Sequence, residues 1–147
     1  MGVFRKLTLR HWSWIHFKFA MLVWAVVLLG YTPTAVAGAL GAVVITISTV
    51  TIVGSVTSIV GIVMSAQNGT KAGVIGISVE LAGLYFMGAG PVAYFITQVW
   101  LALTLPEGSQ RYALVVFSYA MCVALACRIL IVAPRRNREA HDLTKGV

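Results

Sequence analysis

The chain has 147 residues, of which 59% are hydrophobic and 10% charged, with eleven Lys or Arg against four Asp or Glu and a formal net charge of +7. Water-soluble domains carry about a quarter charged residues, so water is excluded as the main solvent. The apolar residues fall in blocks long enough to cross hydrocarbon, which takes roughly 20 residues per helix. These features predict an all-α fold, a polytopic membrane helix bundle of about four transmembrane helices with amino and carboxyl termini both inside, in one membrane domain spanning 1–147.

Residues 1–14 form a basic and aromatic segment on the cytoplasmic side, carrying Arg5, Lys6, Arg10, Trp12 and Trp14. A cleaved signal peptide is a poor reading of it. Ala35-Val36-Ala37 imitates a cleavage site, but no clear polar release follows the apolar run. The first span is expected at 15–32, ending in Tyr31-Thr32-Pro33-Thr34, because proline lacks a backbone donor and disfavours helix at the residue before it.

The second span is expected at 36–64, with a polar turn at 65–71 after it. Its wealth of Val, Ile and Thr would favour strand in water. In lipid a spanning segment must close its own backbone hydrogen bonds, and the continuous apolar run lacks the alternation of a barrel strand. The third span, 72–103, is too long for one straight crossing, and a break near 88–91, at Gly88, Gly90 and Pro91, offers a place either to kink it or to divide it in two. The fourth span is expected at 112–133, with a charged cytoplasmic tail over 134–147 beginning at Pro134.

Orientation follows from the basic residues. With four crossings and the amino terminus inside, Arg5, Lys6, Arg10, Lys18, Lys71, Arg135, Arg136, Arg138 and Lys145 fall on the cytoplasmic side, Arg111 falls outside, and Arg128 lies within the fourth span. This is the asymmetry of the positive-inside rule, and it predicts Trp12, Trp14 and His16 as interfacial anchors at headgroup depth. Anionic lipid then accounts for the positive charge, and nucleic acid is not required as a partner.

The informative intramembrane positions interrupt the apolar background. Gly73, Gly76, Glu80, Gly83, Met87 and Gly90 recur at steps of three and four, which puts them on one helix face. The second span has a matching stripe at Gly41, Val44, Ser48, Thr51, Ser55, Ser58, Ile62 and Ser65. These faces read either as a packing seam, since small residues let helix backbones approach, or as the wetted lining of a pore.

Glu80 is the only acid inside an apolar block, and a bare carboxylate in hydrocarbon costs roughly 2.5 kcal/mol or more unless it is paired, wetted or protonated. Counted inward from the cytoplasmic ends at 1.5 Å per residue, Glu80 and Arg128 lie roughly 12 and 8 Å deep. That predicts an intramembrane charge pair between them. A proton- or cation-handling Glu80, and snorkelling of both groups to water, remain the alternatives.

Little else carries chemistry. Cys122 and Cys127, five residues apart on one helix, point to different faces and read as buried small hydrophobes. His11 and His16 stand among aromatic residues with no further ligand cluster, so anchoring is favoured over metal or haem ligation. Asn68-Gly69-Thr70 matches a glycosylation acceptor but falls on the cytoplasmic side of this topology. No nucleotide loop, metal-binding helix motif or nucleophile arrangement occurs, so no cofactor, no metal and no enzymatic activity are expected, and no small-molecule substrate is identified.

A short, basic, multi-spanning chain with compact loops, a glycine- and hydroxyl-rich interior and a charged cytoplasmic tail resembles phage-encoded holins. The resemblance is architectural, over the whole chain. It implies homo-oligomers in the inner (cytoplasmic) membrane that associate through small-residue faces and open pores or lesions. Four spans exceed the two or three most familiar in holins. Small multidrug transporters are also similar in having four short helices and one membrane glutamate, but theirs is in the first helix, and the first span here has no acid. An ion- or proton-coupled transporter using Glu80, and an accessory or structural subunit of a membrane complex, are the alternative functions.

Overall fold

The computed structural model describes residues 9–30, 41–66, 70–104 and 112–145. They form four helices, α1 (Leu9–Gly30), α2 (Gly41–Ser65), α3 (Lys71–Thr104) and α4 (Tyr112–Lys145), with no strand among the described residues. All four are long and apolar enough to cross a membrane, and the chain is a multi-pass, all-helical membrane bundle. Four crossings return both ends to the same side.

The helix ends differ from the hydropathy boundaries in instructive ways. α1 begins at Leu9, so part of the segment expected to precede the first span is already helical. Ring contacts one turn apart, Trp12 with His16 (centroids 6.3 Å) and Trp14 with Phe17 (5.8 Å, edge-to-face), favour helix there beyond the apolar core. The expected limits 31–32 and 36–40 lie outside the described residues. α2 is helical throughout despite its β-branched content, as the need to close backbone hydrogen bonds in lipid dictates.

The break expected at Gly88, Gly90 and Pro91 does not divide the third span. α3 is one helix of 34 residues with Pro91 inside it. Proline removes one donor and leaves the carbonyl of Met87 without its usual partner. Met87, Gly90 and Pro91 are all buried, however, and Gly90 lies against the Thr51 side chain. A neighbouring helix thus supports the weak point, as it commonly does in membranes. At its start, the Thr70 hydroxyl accepts a hydrogen bond from the Gly73 backbone N–H at 3.0 Å and caps the helix.

Pro134 likewise does not end α4, which continues to Lys145. The tail expected over 134–147 is therefore helical over most of its length. Arg135 Nε donates to Glu139 Oε1 at 2.7 Å, a pair one turn apart that supports the polar end of the helix.

The tightest packing is between α2 and α3. Thr51 faces Gly90, Gly54 faces Met87, Ser58 faces Gly83, Gly61 faces Glu80 and Ser65 faces Gly76. Each step along α2 is matched by an equal step back along α3, a constant antiparallel register in which backbone meets backbone. α1 packs on α2, and α4 packs on α3. The apolar core lies on this second side, where Met21 of α1 joins Ile77, Leu81, Leu84 and Met87 of α3 and Met121, Leu125 and Val132 of α4. Trp24 of α1 reaches Tyr94 of α3 edge-to-face, with centroids 5.2 Å apart.

Candidate functional site in the bundle interior

The small-residue face of α3 positions Glu80. Gly61 of α2 presses on the Glu80 backbone, and the Ser58 hydroxyl donates to the Glu80 carbonyl at 3.2 Å. With its backbone fixed against α2, the carboxylate reaches side chains of α1 and α4.

Two cations meet it there. Arg128 of α4 donates to Glu80 Oε1 from Nε at 2.9 Å and from Nη2 at 2.6 Å. Lys18 of α1 donates from Nζ to the same oxygen at 2.8 Å and to the Ser58 carbonyl at 3.4 Å. The three residues are 1% (Glu80), 4% (Arg128) and 0% (Lys18) exposed. The Arg128 guanidinium also lies 4.8 Å from the centre of the Trp14 ring, within the reach of a cation–π attraction of about 0.5–2 kcal/mol. All four helices therefore contribute to one polar centre.

The energetics make this centre a point of commitment. A buried pair is weak evidence of net stability, because desolvation offsets the Coulombic gain, yet removing one partner typically costs about 3–5 kcal/mol by leaving a bare buried charge. Glu80 is the shared partner of both cations, so it is the least replaceable member.

Glu80 and Arg128, placed at similar depth by the sequence, are in contact. Lys18 is the functional residue that sequence reasoning missed, since the charge asymmetry assigned it to the cytoplasmic surface. A usable signal was present: Trp14, Lys18, Met21 and Ala25 follow one another at helical spacing, and Lys18, Met21 and Ala25 are buried. Lys18 thus falls on the inward face of α1, nine residues or roughly 14 Å from its first residue.

The two small-residue faces lock together. Gly73, Gly76, Gly83 and Gly90 of α3 and Ser48, Thr51, Ser55 and Ser58 of α2 are all buried. Their hydroxyls are mostly spent within the protein: Thr51 donates to the Ile47 carbonyl (2.8 Å), Ser55 to the Thr51 carbonyl (2.7 Å) and Ser58 across the seam to Glu80. Ser48 Oγ alone of these has no partner. Of the two readings of these faces, the packing seam describes what they do within one chain.

The three interfacial anchors divide. Trp12 is 42% exposed and His16 is exposed beside it. Trp14 instead turns inward over Arg128, because a delocalised cation offers its ring face a better partner than lipid does. Cys122 is half-buried and Cys127 exposed, both free. Among the described residues no group of three or more His, Cys, Asp or Glu is placed to hold a metal ion. No family model, no curated protein and no solved structure matches this chain.

Proposed function

We propose that this chain is a non-enzymatic, holin-like protein that oligomerises in the cytoplasmic membrane and opens pores or lesions between its subunits. The observation that carries this reading is the closed α2–α3 seam. The glycine and hydroxyl faces that would line an aqueous path through a single chain are packed backbone against backbone. A conducting route then has to form between copies.

Association of copies falls to the outer faces, where α3 and α4 present Ile96, Trp100, Val116, Phe117 and Tyr119. The basic residues of the α4 end, Arg136 and Arg138, are exposed and suit contact with anionic lipid on the cytoplasmic side. The small size, high basic charge and multi-pass architecture agree with the resemblance to holins.

A second reading is favoured by one observation, the buried cluster around Glu80. Ionisable residues inside membranes commonly mark ion or proton pathways, and on this reading Glu80 couples a transported ion or proton to movement of α1 and α4.

Induced expression in a bacterium separates the two. Abrupt entry of an impermeant dye with loss of membrane potential is the expected result for a lesion-forming protein. Impermeable cells with pH-dependent substrate flux, abolished by Glu80→Gln, would replace it with the transporter. Healthy, impermeable cells with no flux would leave the chain as an accessory subunit and remove both.

A further inference from the structure

The buried cluster holds one positive charge more than it can balance. Lys18 and Arg128 share the single carboxylate of Glu80, and both bind the same oxygen, Oε1. Of the four helices, α1 brings Lys18, α3 brings Glu80, α4 brings Arg128, and α2 brings only neutral groups, the carbonyl and hydroxyl of Ser58. The other acid whose side chain is described, Glu139, is occupied by Arg135. A surplus charge in a low-dielectric interior is costly unless a counter-charge accompanies it.

The guanidinium directs two of its groups at that one oxygen. Arginine carries five N–H groups, and the bonds that Arg128 makes run from Nε and Nη2 to one oxygen. α1 packs on α2 and α4 on α3, so α1 and α4 meet at the cluster through the long side chains of Lys18, Arg128 and Trp14 rather than backbone to backbone. A surplus buried cation, where side chains rather than backbones fill the angle between helices, is the arrangement that takes an anion.

We infer that Lys18 and Arg128 form, with Glu80, a binding site for one further singly charged anion, held at Arg128 between α1 and α4. The anion is either a free inorganic ion or the phosphate of an anionic phospholipid, which present the same chemistry to a guanidinium. This inference does not depend on the pore-forming reading, since it concerns the folded subunit alone.

The test uses the full chain in phosphatidylcholine nanodiscs and follows its thermal unfolding midpoint. At equal ionic strength, replacing gluconate by chloride raises the midpoint by about 3 °C or more if chloride stands at roughly ten times its dissociation constant. That result assigns a free anion. A comparable rise in gluconate that appears only when phosphatidylglycerol replaces part of the lipid assigns the headgroup phosphate. Lys18→Met removes the surplus charge and abolishes the response, whereas Arg136→Gln with Arg138→Gln, outside the cluster, retains it. A midpoint indifferent to both exchanges overturns the inference. So does a response that survives in Lys18→Met or disappears with the two surface arginines.

Discussion

The two sides of α3 are packed by opposite means. Toward α2 it presents Gly76, Gly83 and Gly90, and the helix backbones close on each other with small side chains such as those of Thr51 and Ser58 at the seam. Toward α1 and α4 it presents Ile77, Leu81, Leu84 and the carboxylate of Glu80, and the gap is filled by Met21, Trp24, Met121, Leu125, Lys18 and Arg128. Small residues bring backbones together and leave no slack, so that side is intolerant of added volume. Long side chains span distance and keep rotamer choice, so the other side tolerates volume changes and is sensitive to charge. The first side makes α2 and α3 a single unit, and the second joins α1 and α4 to that unit through an apolar core and one shared carboxylate.

The contrast is broken most severely by adding volume to the seam. A β-carbon on Gly61 would be forced into the Glu80 backbone, and neither partner is a flexible chain end. Gly61→Val is expected to cost more than about 4 kcal/mol and to abolish the monodisperse folded form in detergent gel filtration. Gly88, which has nothing within 4 Å of where a β-carbon would lie, is the internal control.

Charge is the lever on the other side. Glu80→Gln keeps the volume but strands two buried cations, and reversible unfolding in mixed micelles is expected to show an unfolding free energy lower by about 3–5 kcal/mol. Lys18→Met leaves the Glu80–Arg128 pair neutral, so its loss is smaller than that of Glu80→Gln. A larger loss from Lys18→Met would show that Lys18, rather than Glu80, organises the centre.

Next comes geometry at constant charge. Arg128→Lys retains the cation but loses the pair of hydrogen bonds to Oε1 and the guanidinium over the Trp14 ring. A cost of about 1–2 kcal/mol is expected, with a change in tryptophan fluorescence that is absent when Trp14→Phe is already present.

The smallest effects sharpen the comparison by their size. Glu139→Ala removes the part-exposed pair with Arg135 on the polar end of α4 and is worth about 0.5 kcal/mol at most. Gly88→Ala meets open space and replaces a poor helix former by a good one, so the midpoint should hold or rise slightly. A collapse of Gly88→Ala comparable to Gly61→Val would mean that α3 resists substitution everywhere, and the two-sided description would fail.

Much of this was legible in the residues, and the omissions have physical causes. Continuous apolar runs revealed four spanning helices because lipid leaves the backbone few alternatives. The faces of α2 and α3 were legible because small and hydroxyl residues recur at helical spacing, yet Gly54 and Gly61, which make two of the closest approaches, fell beside the stripe rather than on it. They sit one short turn after Thr51 and Ser58, and a periodic reading with a single phase skips them. Glu80 and Arg128 were legible because charges in oil are rare.

Lys18 was not read as interior, since a lysine near the start of a span looks like a surface anchor and only the partner's position shows otherwise. Trp14 was read as a belt residue for the same reason. Of the two outcomes open at Pro91, division of the span did not occur, because the penalty of a lost donor is local while the support that offsets it comes from α2.

The central claim is that one carboxylate holds two cations from two different helices, and a double-mutant cycle between Glu80→Gln and Lys18→Met tests it most directly. If the claim holds, the second substitution relieves the charge that the first leaves stranded, so the double variant unfolds with a smaller loss than the two single losses combined, by at least about 1 kcal/mol. Strictly additive losses would mean that Lys18 and Glu80 do not interact in the folded bundle, and the three-helix cluster would have to be abandoned.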